Sequence, residues 1–389
     1  MTTVDDPASS TRAGFLALQR GDARAARECF LAAAASSTAG SDAWFGLSLA
    51  HRALGAAEAE GAALDRALAL TPRHVPALIR KGDLCAARAD ARAAHSFYRA
   101  ALKIASGMRA PPPQWREDLE RVNAVVKQSM QSLERHLLGD LAVARLGSGS
   151  ERFAHAIDLL LGRRQIYLQQ PKVFYFPGLP QIQFYERADF PWVEALEKQA
   201  PAMREELSAV LEAGHSFAPY MQPQRDRPAF DNNGLLNDPA WSACHLIQNG
   251  EEVPEMAARC PATLNALRTL PLCRIKGRTP TALFSLLRPG AHIPPHHGYL
   301  NARLICHLPL IVPGDCALRV GNETRSWRQG ELVIFDDSME HEAWNRSAET
   351  RVVLLFDIWR PELTETERAL VAATLESIDR FGGREEWTQ

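Results

Sequence analysis

The stretch ARLICHLPLIVPGD, residues 302–315, predicts a fold more directly than any other part of the sequence. It is a short apolar run that ends in a Pro-Gly turn, which is the pattern of a buried β-strand. Working outward from it, similar runs bounded by turn residues recur at regular spacing: TALFSLLRPG (281–290), CALRVGNET (316–324), GELVIFDD (330–337) and RVVLLFDIW (351–359). This part of the chain is therefore predicted to form an all-β sandwich or barrel.

The regular spacing of these runs is typical of a double-stranded β-helix, the jelly-roll architecture of cupins and many iron oxygenases. The composition changes near residue 165, beyond which aromatic residues and prolines become frequent. Residues 364–380 are predicted to form a closing helix that begins on a threonine cap. We therefore predict a jelly-roll domain over residues 165–389.

The N-terminal part of the chain repeats itself. Residues 11–105 are rich in alanine, leucine and arginine, and Phe30, Leu64 and Tyr98 share one phase of a 34-residue period. Other residues that recur in phase are Ala33, Ala67 and Ala101, and also Gly21, Gly55 and Ala89. A period of 34 residues is typical of tetratricopeptide repeats, in which each unit is a pair of helices.

Single positions support the same interpretation. Trp44, Leu47 and Pro72 fall where a tetratricopeptide repeat has its tryptophan, leucine and closing proline, and Gly82 supplies the small residue of the third unit. Because one helix pair cannot cover its own apolar face, about three units are predicted to stack into an α-solenoid over residues 1–105, whose concave side commonly binds peptide. The alternative is an alanine-rich helical bundle without repeats.

Between the two predicted domains lies a connecting region, residues 106–164. Its first residues, SGMRAPPPQ, contain three prolines that stop any helix. Helical patterns resume at residues 115–145 and 150–163, which we interpret as connecting helices.

Composition excludes several classes of function. The formal net charge is −2 at pH 7 and the sequence pI is about 6.6, which argues against binding nucleic acid or an anionic membrane surface. The seven cysteines include no CxxC pair, which argues against a disulfide framework or a structural zinc site. No apolar segment approaches the roughly 20 residues that span a bilayer, and the N-terminus lacks a signal-peptide pattern. We therefore expect a cytoplasmic protein that has no membrane or nucleic-acid partner.

The stretch HIPPHHGYLN, residues 292–301, places three histidines within six positions. Side chains alternate across a strand, so His296 and Gly298 are predicted to point to one face and His297 to the other. Non-haem iron(II) oxygenases usually hold their metal with His-x-Asp on one strand and a distant histidine on another. Here His296 takes the first place, Gly298 stands at the carboxylate position, and His341 supplies the distant histidine. Two of three ligands are present.

Polar residues on neighbouring strands can hold a dicarboxylate co-substrate. Arg351 lies ten residues beyond His341, and its planar guanidinium suits bidentate binding of one carboxylate. Ser285 can add a hydroxyl to the same carboxylate. In the stretch RLICHLP, Arg303 and His307 share the parity of the pocket face, so His307 can donate to the other carboxylate.

With these residues in place, residues 285–364 closely resemble the aspartyl/asparaginyl β-hydroxylase family, whose members depend on iron(II) and 2-oxoglutarate. Four motifs carry the resemblance: H-x-x-x-H-x-G-x-x-N, H-L-x-L, N-E-T-R-x-W and F-D-D-S-x-E-H-E-x-W, with an arginine ten residues beyond the last histidine. Weaker likeness, including FPGLP and WSACHLIQNG, extends back to about residue 165. The family also places tetratricopeptide helices before its oxygenase domain.

The resemblance implies roles for individual residues. His296 and His341 inherit the metal-ligand role, with water at the position that Gly298 leaves open, because the family lacks the usual carboxylate ligand. The residues that inherit the 2-oxoglutarate contacts are Ser285, His307 and Arg351.

One position departs from the family pattern. Some members carry an arginine where this chain has Ile305, and Arg303, of the same parity, is a possible substitute. The stretch NETRSW is predicted to be a tight turn. Four further residues are predicted to support the fold or the site without binding metal: His292, His297, Asp336 and Asp337.

The sequence as a whole predicts a dioxygenase that uses iron(II), 2-oxoglutarate and O2 to hydroxylate the β-carbon of Asp or Asn residues. The solenoid favours a peptide or protein substrate. Alternatives within the same chemistry are a free amino acid, a carrier-bound natural-product intermediate or a lipid acyl chain. An alternative from another class is a non-catalytic peptide-binding adaptor, against which the histidine pair and the arginine argue.

Overall fold

The computed structural model describes residues 6–143, 151–214, 217–223 and 235–382. Contacts between Cα atoms divide the chain into two compact units, Met1–Leu161 and Gly162–Gln389. The first unit is helical and the second is built on β-sheets. None of the described helices combines the length and the apolar character needed to cross a bilayer.

The first unit begins with three consecutive helix pairs. The six helices are α1 (Pro7–Gln19), α2 (Ala23–Ala34), α3 (Ser41–Ala53), α4 (Ala57–Leu70), α5 (Val75–Ala87) and α6 (Ala91–Ser106). The first helices of the pairs start at residues 7, 41 and 75 and the second at 23, 57 and 91, so each pair follows the last after 34 residues. The predicted helical N-terminal region and its period are therefore confirmed.

The residues that share a phase of the repeat form contacts within and between the helix pairs. Phe30, Leu64 and Tyr98 are almost completely buried. A Cβ at Gly46 would overlap the ring of Phe30, and a Cβ at Gly82 would overlap the ring of Tyr98. The small residues are thus needed because an aromatic ring occupies the space beside them.

The turn within each pair needs a left-handed backbone. Gly21 and Gly55 have φ of 80° and 72°, and Ala89 occupies the same place in the third pair at 63°. Glycine adopts this region freely, whereas alanine does so at a cost. Asp22 and Asp90 cap the helices that follow by accepting a hydrogen bond from a backbone N–H three residues on.

Two more helices of the first unit follow among the described residues. Helix α7 spans Arg116–Val143 and helix α8 spans Glu151–Leu160, where the sequence predicts helices at 115–145 and 150–163. Helix α7 packs against α6, and its Arg121 donates to Asp83 of α5 at 2.9 Å.

The described part of the second unit contains two antiparallel sheets. Its strands are β1 (Phe184–Tyr185), β2 (Ala218–Pro219), β3 (Trp241–Gln248), β4 (Glu251–Glu252), β5 (Ala282–Leu287), β6 (His292–His296), β7 (Arg303–Ile311), β8 (Cys316–Val320), β9 (Glu323–Ser326), β10 (Val333–Phe335), β11 (His341–Asn345) and β12 (Arg351–Trp359). The eight-stranded sheet has the order β1-β10-β7-β12-β5-β3-β2, with β4 beside β3, and the four-stranded sheet has the order β6-β11-β8-β9. The predicted strand runs and the antiparallel β domain are confirmed.

Alternation along β7 separates two cores. Leu304, Cys306 and Leu308 belong to an apolar cluster that the eight-stranded sheet shares with nearby helices. Ile305, between them, belongs to a second cluster to which both sheets contribute. The helices of this unit are α9 (Val193–Glu197), α10 (Ala200–Glu212), α11 (Pro254–Arg259), α12 (Pro261–Arg268) and α13 (Glu365–Gly382).

Helix α13 begins as the sequence predicts. The backbone N–H of Glu367 donates to the hydroxyl of Thr364 at 3.3 Å, and the Glu367 carboxylate accepts from the Thr364 backbone N–H at 2.8 Å. This reciprocal pair is a capping box, which satisfies two backbone or side-chain donors at the helix start.

Candidate functional site

Two histidines lie side by side on neighbouring strands of the four-stranded sheet. His296 ends β6 and His341 begins β11, and they are direct partners in the antiparallel pairing, with ring centroids 4.0 Å apart. Each Nδ1 lies beside the backbone carbonyl oxygen of the residue two positions earlier, Pro294 at 2.7 Å and Met339 at 2.9 Å. Because a carbonyl oxygen only accepts, Nδ1 carries the hydrogen and Nε2 the lone pair. Both rings are thus preset to bind a metal through Nε2.

The surroundings favour the neutral form of His341. Burial lowers the pKa of its imidazole to about 4, and the nearby charges of Lys172 and Arg319 act in the same direction. A neutral imidazole is the form that offers a lone pair to a metal ion. His341 therefore needs no deprotonation to serve as a ligand at neutral pH.

Gly298 packs directly against the side chain of Asp337. Its backbone N–H donates to the Asp337 carbonyl oxygen at 2.6 Å, and a Cβ at this position would overlap the Asp337 carboxylate. In the described part of the chain no group of three or more His, Cys, Asp or Glu residues is placed to hold a metal ion. The histidine pair thus stands there without a protein carboxylate, and the glycine has a packing reason.

Replacing Gly298 with alanine is expected to lower the free energy of unfolding by about 1–3 kcal/mol, because the added methyl must displace a buried carboxylate. Urea unfolding of the metal-free protein measures the change. Gly314→Ala is the matched control, since a Cβ there meets nothing within 4 Å. Equal stability of Gly298→Ala and the parent would contradict the packing argument.

Arg303 does not reach the pocket that its parity suggests. Its Nη1 donates to Asp357 at 2.9 Å and its Nη2 to Asp337 at 3.2 Å, and both carboxylates are fully buried. As the first residue of β7, Arg303 lies where the strand meets the turn that carries Asp337. The expectation that Arg303 replaces the arginine absent at Ile305 is therefore not supported, although Ile305 itself lines the pocket.

The remaining histidines and aspartates support the site's frame. Asp336 accepts from Nη1 of Arg360 at 2.7 Å and from the backbone N–H of Ser338 at 3.0 Å, which orders the turn before His341. His292 lies 2.7 Å from a carboxylate oxygen of Glu342 and is half exposed. Neither His292 nor His297 lines the pocket.

One pocket brings together the other predicted residues. From the four-stranded sheet come His296 and His341, and from the eight-stranded sheet come Ser285, His307 and Arg351. The rest of the lining is mainly apolar: Trp241, Ile293, Ile305, Leu318, Phe335, Ala343 and Leu355. The two halves of the predicted site thus lie on opposite sheets.

Arg351 is a buried cation without a carboxylate partner among the described residues. Its side chain is 1 % exposed, its Nη1 donates to the backbone oxygen of Ser285 at a long 3.4 Å, and its Nε has no partner in the described structure. Burial lowers the pKa of the guanidinium to about 10. A buried charge is costly unless it is paired, so this residue is poised to receive an anion.

His307 completes the same end of the pocket. Burial holds the pKa of its imidazole well below the usual value, with the charge of Arg351 adding to the effect. Its Nδ1 is buried and has no partner in the described structure, while its ring packs against Phe335 at 5.0 Å. A neutral His307 can therefore donate to or accept from a ligand that enters beside Arg351.

Two tryptophans of the site escape sequence reasoning. Trp241 donates from Nε1 to the hydroxyl of Ser285 at 3.3 Å and thereby orients it. Trp327 lies beneath the guanidinium of Arg351, with 4.6 Å from Cζ to the ring centroid. Trp327 ends the motif N-E-T-R-x-W, to which the sequence assigns no role beyond a tight turn; the structure corrects this prediction, because Glu323–Ser326 of that stretch form β9.

Comparison with known proteins matches the second unit to one family. Residues 197–361 match the family model described as aspartyl/asparaginyl β-hydroxylase. The chain is 38 % identical over 192 residues to the ornithine lipid ester-linked acyl 2-hydroxylase of Rhizobium tropici, covering 47 % of this chain and 62 % of that protein. It is 33 % identical over 186 residues to human aspartyl/asparaginyl β-hydroxylase, covering 46 % and 23 %. The resemblance predicted from the motifs is confirmed.

Other relatives are matched in part only. Human aspartate β-hydroxylase domain-containing protein 2 is 34 % identical over 205 residues, which is 52 % of this chain and 53 % of that protein. The alignments thus span from about a quarter to three fifths of these relatives. Among solved structures, the Yersinia enterocolitica translocator chaperone SycD is 15 % identical with a TM-score of 0.29, covering 32 % of this chain and 90 % of that one.

Proposed function

Since the β domain matches the aspartyl/asparaginyl β-hydroxylase family, we propose that this protein is an iron(II)- and 2-oxoglutarate-dependent hydroxylase. In this proposal the helix pairs are a tetratricopeptide solenoid and the two sheets are a double-stranded β-helix. The family match supports a hydroxylase, and the residues of the pocket support the two cofactors, as follows.

The charge of Arg351, which has no carboxylate partner among the described residues, carries the proposal. A dicarboxylate fits this end of the pocket, because a buried guanidinium, a His307 nitrogen with no partner in the described structure and the Ser285 hydroxyl can contact its oxygens. At the other end, His296 and His341 present two Nε2 lone pairs, which suits a divalent transition metal. Both groups fit the residues present.

Each polar residue of the pocket then has a definite role. The chemistry that the bound metal supplies with 2-oxoglutarate and O2 is insertion of one oxygen atom into a C–H bond, with release of succinate and CO2. His296 and His341 hold the metal in place. Arg351 and Ser285 bind one carboxylate, and Trp241 fixes the direction of the Ser285 hydroxyl. The apolar lining excludes water, which strengthens these charged contacts.

We propose the β-carbon of Asp or Asn residues in a peptide as the first substrate, with the helix pairs as the surface that binds the rest of the peptide. The test loads the protein with iron(II) and 2-oxoglutarate without oxygen, adds cell-derived peptides, then admits oxygen. Mass spectrometry is expected to show a gain of one oxygen on Asp or Asn in a subset of peptides. If the protein forms succinate under these conditions but none of the peptides gains an oxygen on Asp or Asn, this substrate is excluded.

A lipid acyl chain is the second candidate, and an exposed apolar segment favours it. Residues 165–176 are hydrogen-bonded to the loops that follow His296 and precede His341. The backbone N–H of Lys172 donates to the carbonyl oxygen of Gly298 at 2.9 Å, and that of Gln170 donates to the carbonyl oxygen of Ser338 at 2.7 Å. The side chains of this segment that point to solvent include Ile166, Leu168, Val173 and Tyr175. Exposed apolar groups gathered on one segment mark a candidate surface for an apolar ligand. The Rhizobium tropici relative is named as a lipid acyl hydroxylase.

The double variant Ile166→Ser and Leu168→Ser separates the two candidates. If the substrate is an acyl lipid, turnover at low substrate is expected to fall about tenfold or more, since each lost apolar contact removes up to about 1.5–3 kcal/mol of binding. If the substrate is a peptide bound by the helix pairs, turnover stays near that of the parent. Leu370→Ser, at an exposed position on α13, is the control for a lost surface leucine.

A further inference from the structure

Arg351 differs from the other buried arginines of its unit. Four arginines described there are buried: Arg278, Arg303, Arg351 and Arg360. Three of them have an aspartate partner: Arg278 pairs with Asp379, Arg303 with Asp357 and Asp337, and Arg360 with Asp336. Arg360 also lies over a ring, that of Tyr185, but keeps its aspartate. Among these four described arginines, Arg351 alone has an aromatic ring, that of Trp327, and no carboxylate partner.

An aromatic face and a carboxylate do different things to a guanidinium. A carboxylate takes up two of the five N–H donors and neutralises the charge, which weakens the attraction for an anionic ligand. The negative face of an indole stabilises the cation from one side and leaves the N–H groups at the edge unoccupied. Burial opposes the charge of Arg351, and an aromatic face of this kind offsets part of that cost.

Trp327 is itself held where it can act on both co-substrate residues. It follows β9 (Glu323–Ser326), is 5 % exposed, and its ring centroid lies 5.8 Å from that of His307. Its Nε1 is buried and has no partner in the described structure. The indole therefore lies behind Arg351 and His307 and is not itself part of the pocket lining.

We propose that Trp327 is a positioning residue for the co-substrate: it supports the guanidinium of Arg351 so that its N–H edge stays free to bind a dicarboxylate. The inference rests on the proposed function, because 2-oxoglutarate is the dicarboxylate. It goes beyond that function by assigning a residue that touches neither the co-substrate nor the metal.

The experiment measures 2-oxoglutarate binding to full-length, metal-free protein by calorimetry, so that the readout does not depend on turnover. Trp327→Leu is expected to raise the dissociation constant about tenfold, the size of a desolvated cation–π contact. Trp327→Phe, which keeps an aromatic face, should recover most of the loss. At saturating 2-oxoglutarate, kcat of the iron-loaded variants should stay within about twofold of the parent, whereas KM for 2-oxoglutarate rises.

A matched control is available in the first unit. Trp44 also carries an arginine over its ring, with the Cζ of Arg66 at 5.9 Å. Trp44→Leu removes a comparable pair, and 2-oxoglutarate binding should be unchanged. If Trp327→Leu fails to fold, site-specific fluorinated tryptophan at position 327 keeps the shape and the N–H while weakening the negative face, so binding should fall stepwise with fluorine number.

The outcomes separate this inference from the proposed function. A parent protein that binds no 2-oxoglutarate would overturn both. A parent that binds it, with leucine or fluorinated variants of equal affinity, would overturn the role of Trp327 alone. A fall in kcat without a change in binding would also contradict a positioning role.

Discussion

Replacing either His296 or His341 with alanine is expected to abolish metal-dependent turnover and to weaken iron(II) binding by well over about a hundredfold. Even the loss of an outer hydrogen-bond partner of a metal ligand commonly costs 10–100-fold in metal affinity. The loss of a ligand from a pair costs more, because no third protein ligand is placed to compensate among the described residues. Anaerobic titration with iron(II) gives the stoichiometry, and succinate formation gives the turnover.

His292→Ala is the control for this experiment. His292 also lies on β6, but it is half exposed and lies beside Glu342, away from the pocket. Its replacement should leave one iron(II) per chain and nearly full turnover. The ligand assignment would be wrong if the His296 and His341 variants each still bound one iron(II) as tightly as the parent.

The second large effect concerns Arg351. Arg351→Ala is expected to raise the apparent constant for 2-oxoglutarate by about two orders of magnitude or more, since breaking a buried charge pair typically costs 3–5 kcal/mol. Iron(II) binding through His296 and His341 should survive. Ser285→Ala should weaken binding less, as a hydrogen bond to a charged group contributes about 1.5–3 kcal/mol. Arg351→Lys should restore only part of the loss, because an ammonium lacks the planar fork.

Titration of succinate formation against 2-oxoglutarate compares these variants. Arg346→Ala is the matched control, because its guanidinium also lies over a tryptophan, Trp344, at 4.7 Å, but at an exposed position. Its apparent constant should equal that of the parent. An Arg351→Ala enzyme with the parent's constant would mean that the co-substrate is anchored elsewhere, and the proposed function would lose its main support.

The parts of the site that sequence reasoning predicts are those that follow strand parity. Along β7, alternation alone places His307 on the pocket side and Leu308 on the other, and the structure agrees. The histidines at 296 and 341 are brought together because β6 and β11 are neighbours, a pairing that the predicted strand runs do not include. Local patterns suffice where a regular strand carries the residue.

The features of the site that the sequence does not predict depend on contacts between segments that lie far apart along the chain. Arg303 has the right parity, but two buried aspartates hold its guanidinium, and no local pattern reveals that they converge on it. The contact between Gly298 and Asp337 likewise joins two loops, so the glycine's packing role is visible only in three dimensions. The role of Trp327 is missed because the sequence predicts NETRSW as a tight turn, whereas Glu323–Ser326 form a short strand that places Trp327 against Arg351.

The helical unit shows the same contrast. Its 34-residue period fixes where each helix begins, because the repeat is written in the spacing of buried aromatic and small residues. Ala89 departs from the glycines at Gly21 and Gly55 but keeps their left-handed backbone. The left-handed turn of the repeat is thus kept in the third pair although glycine, the residue that adopts it most easily, is replaced by alanine.

The division of the pocket between two sheets has a mechanical consequence. The histidines belong to the four-stranded sheet, and Ser285, His307 and Arg351 belong to the eight-stranded sheet. A small ligand that contacts residues of both sheets therefore bridges them, and it can bind only while the sheets keep their spacing. Each ligand then stabilises the geometry that the other needs, so metal and co-substrate should raise the melting temperature together by more than the sum of their separate effects.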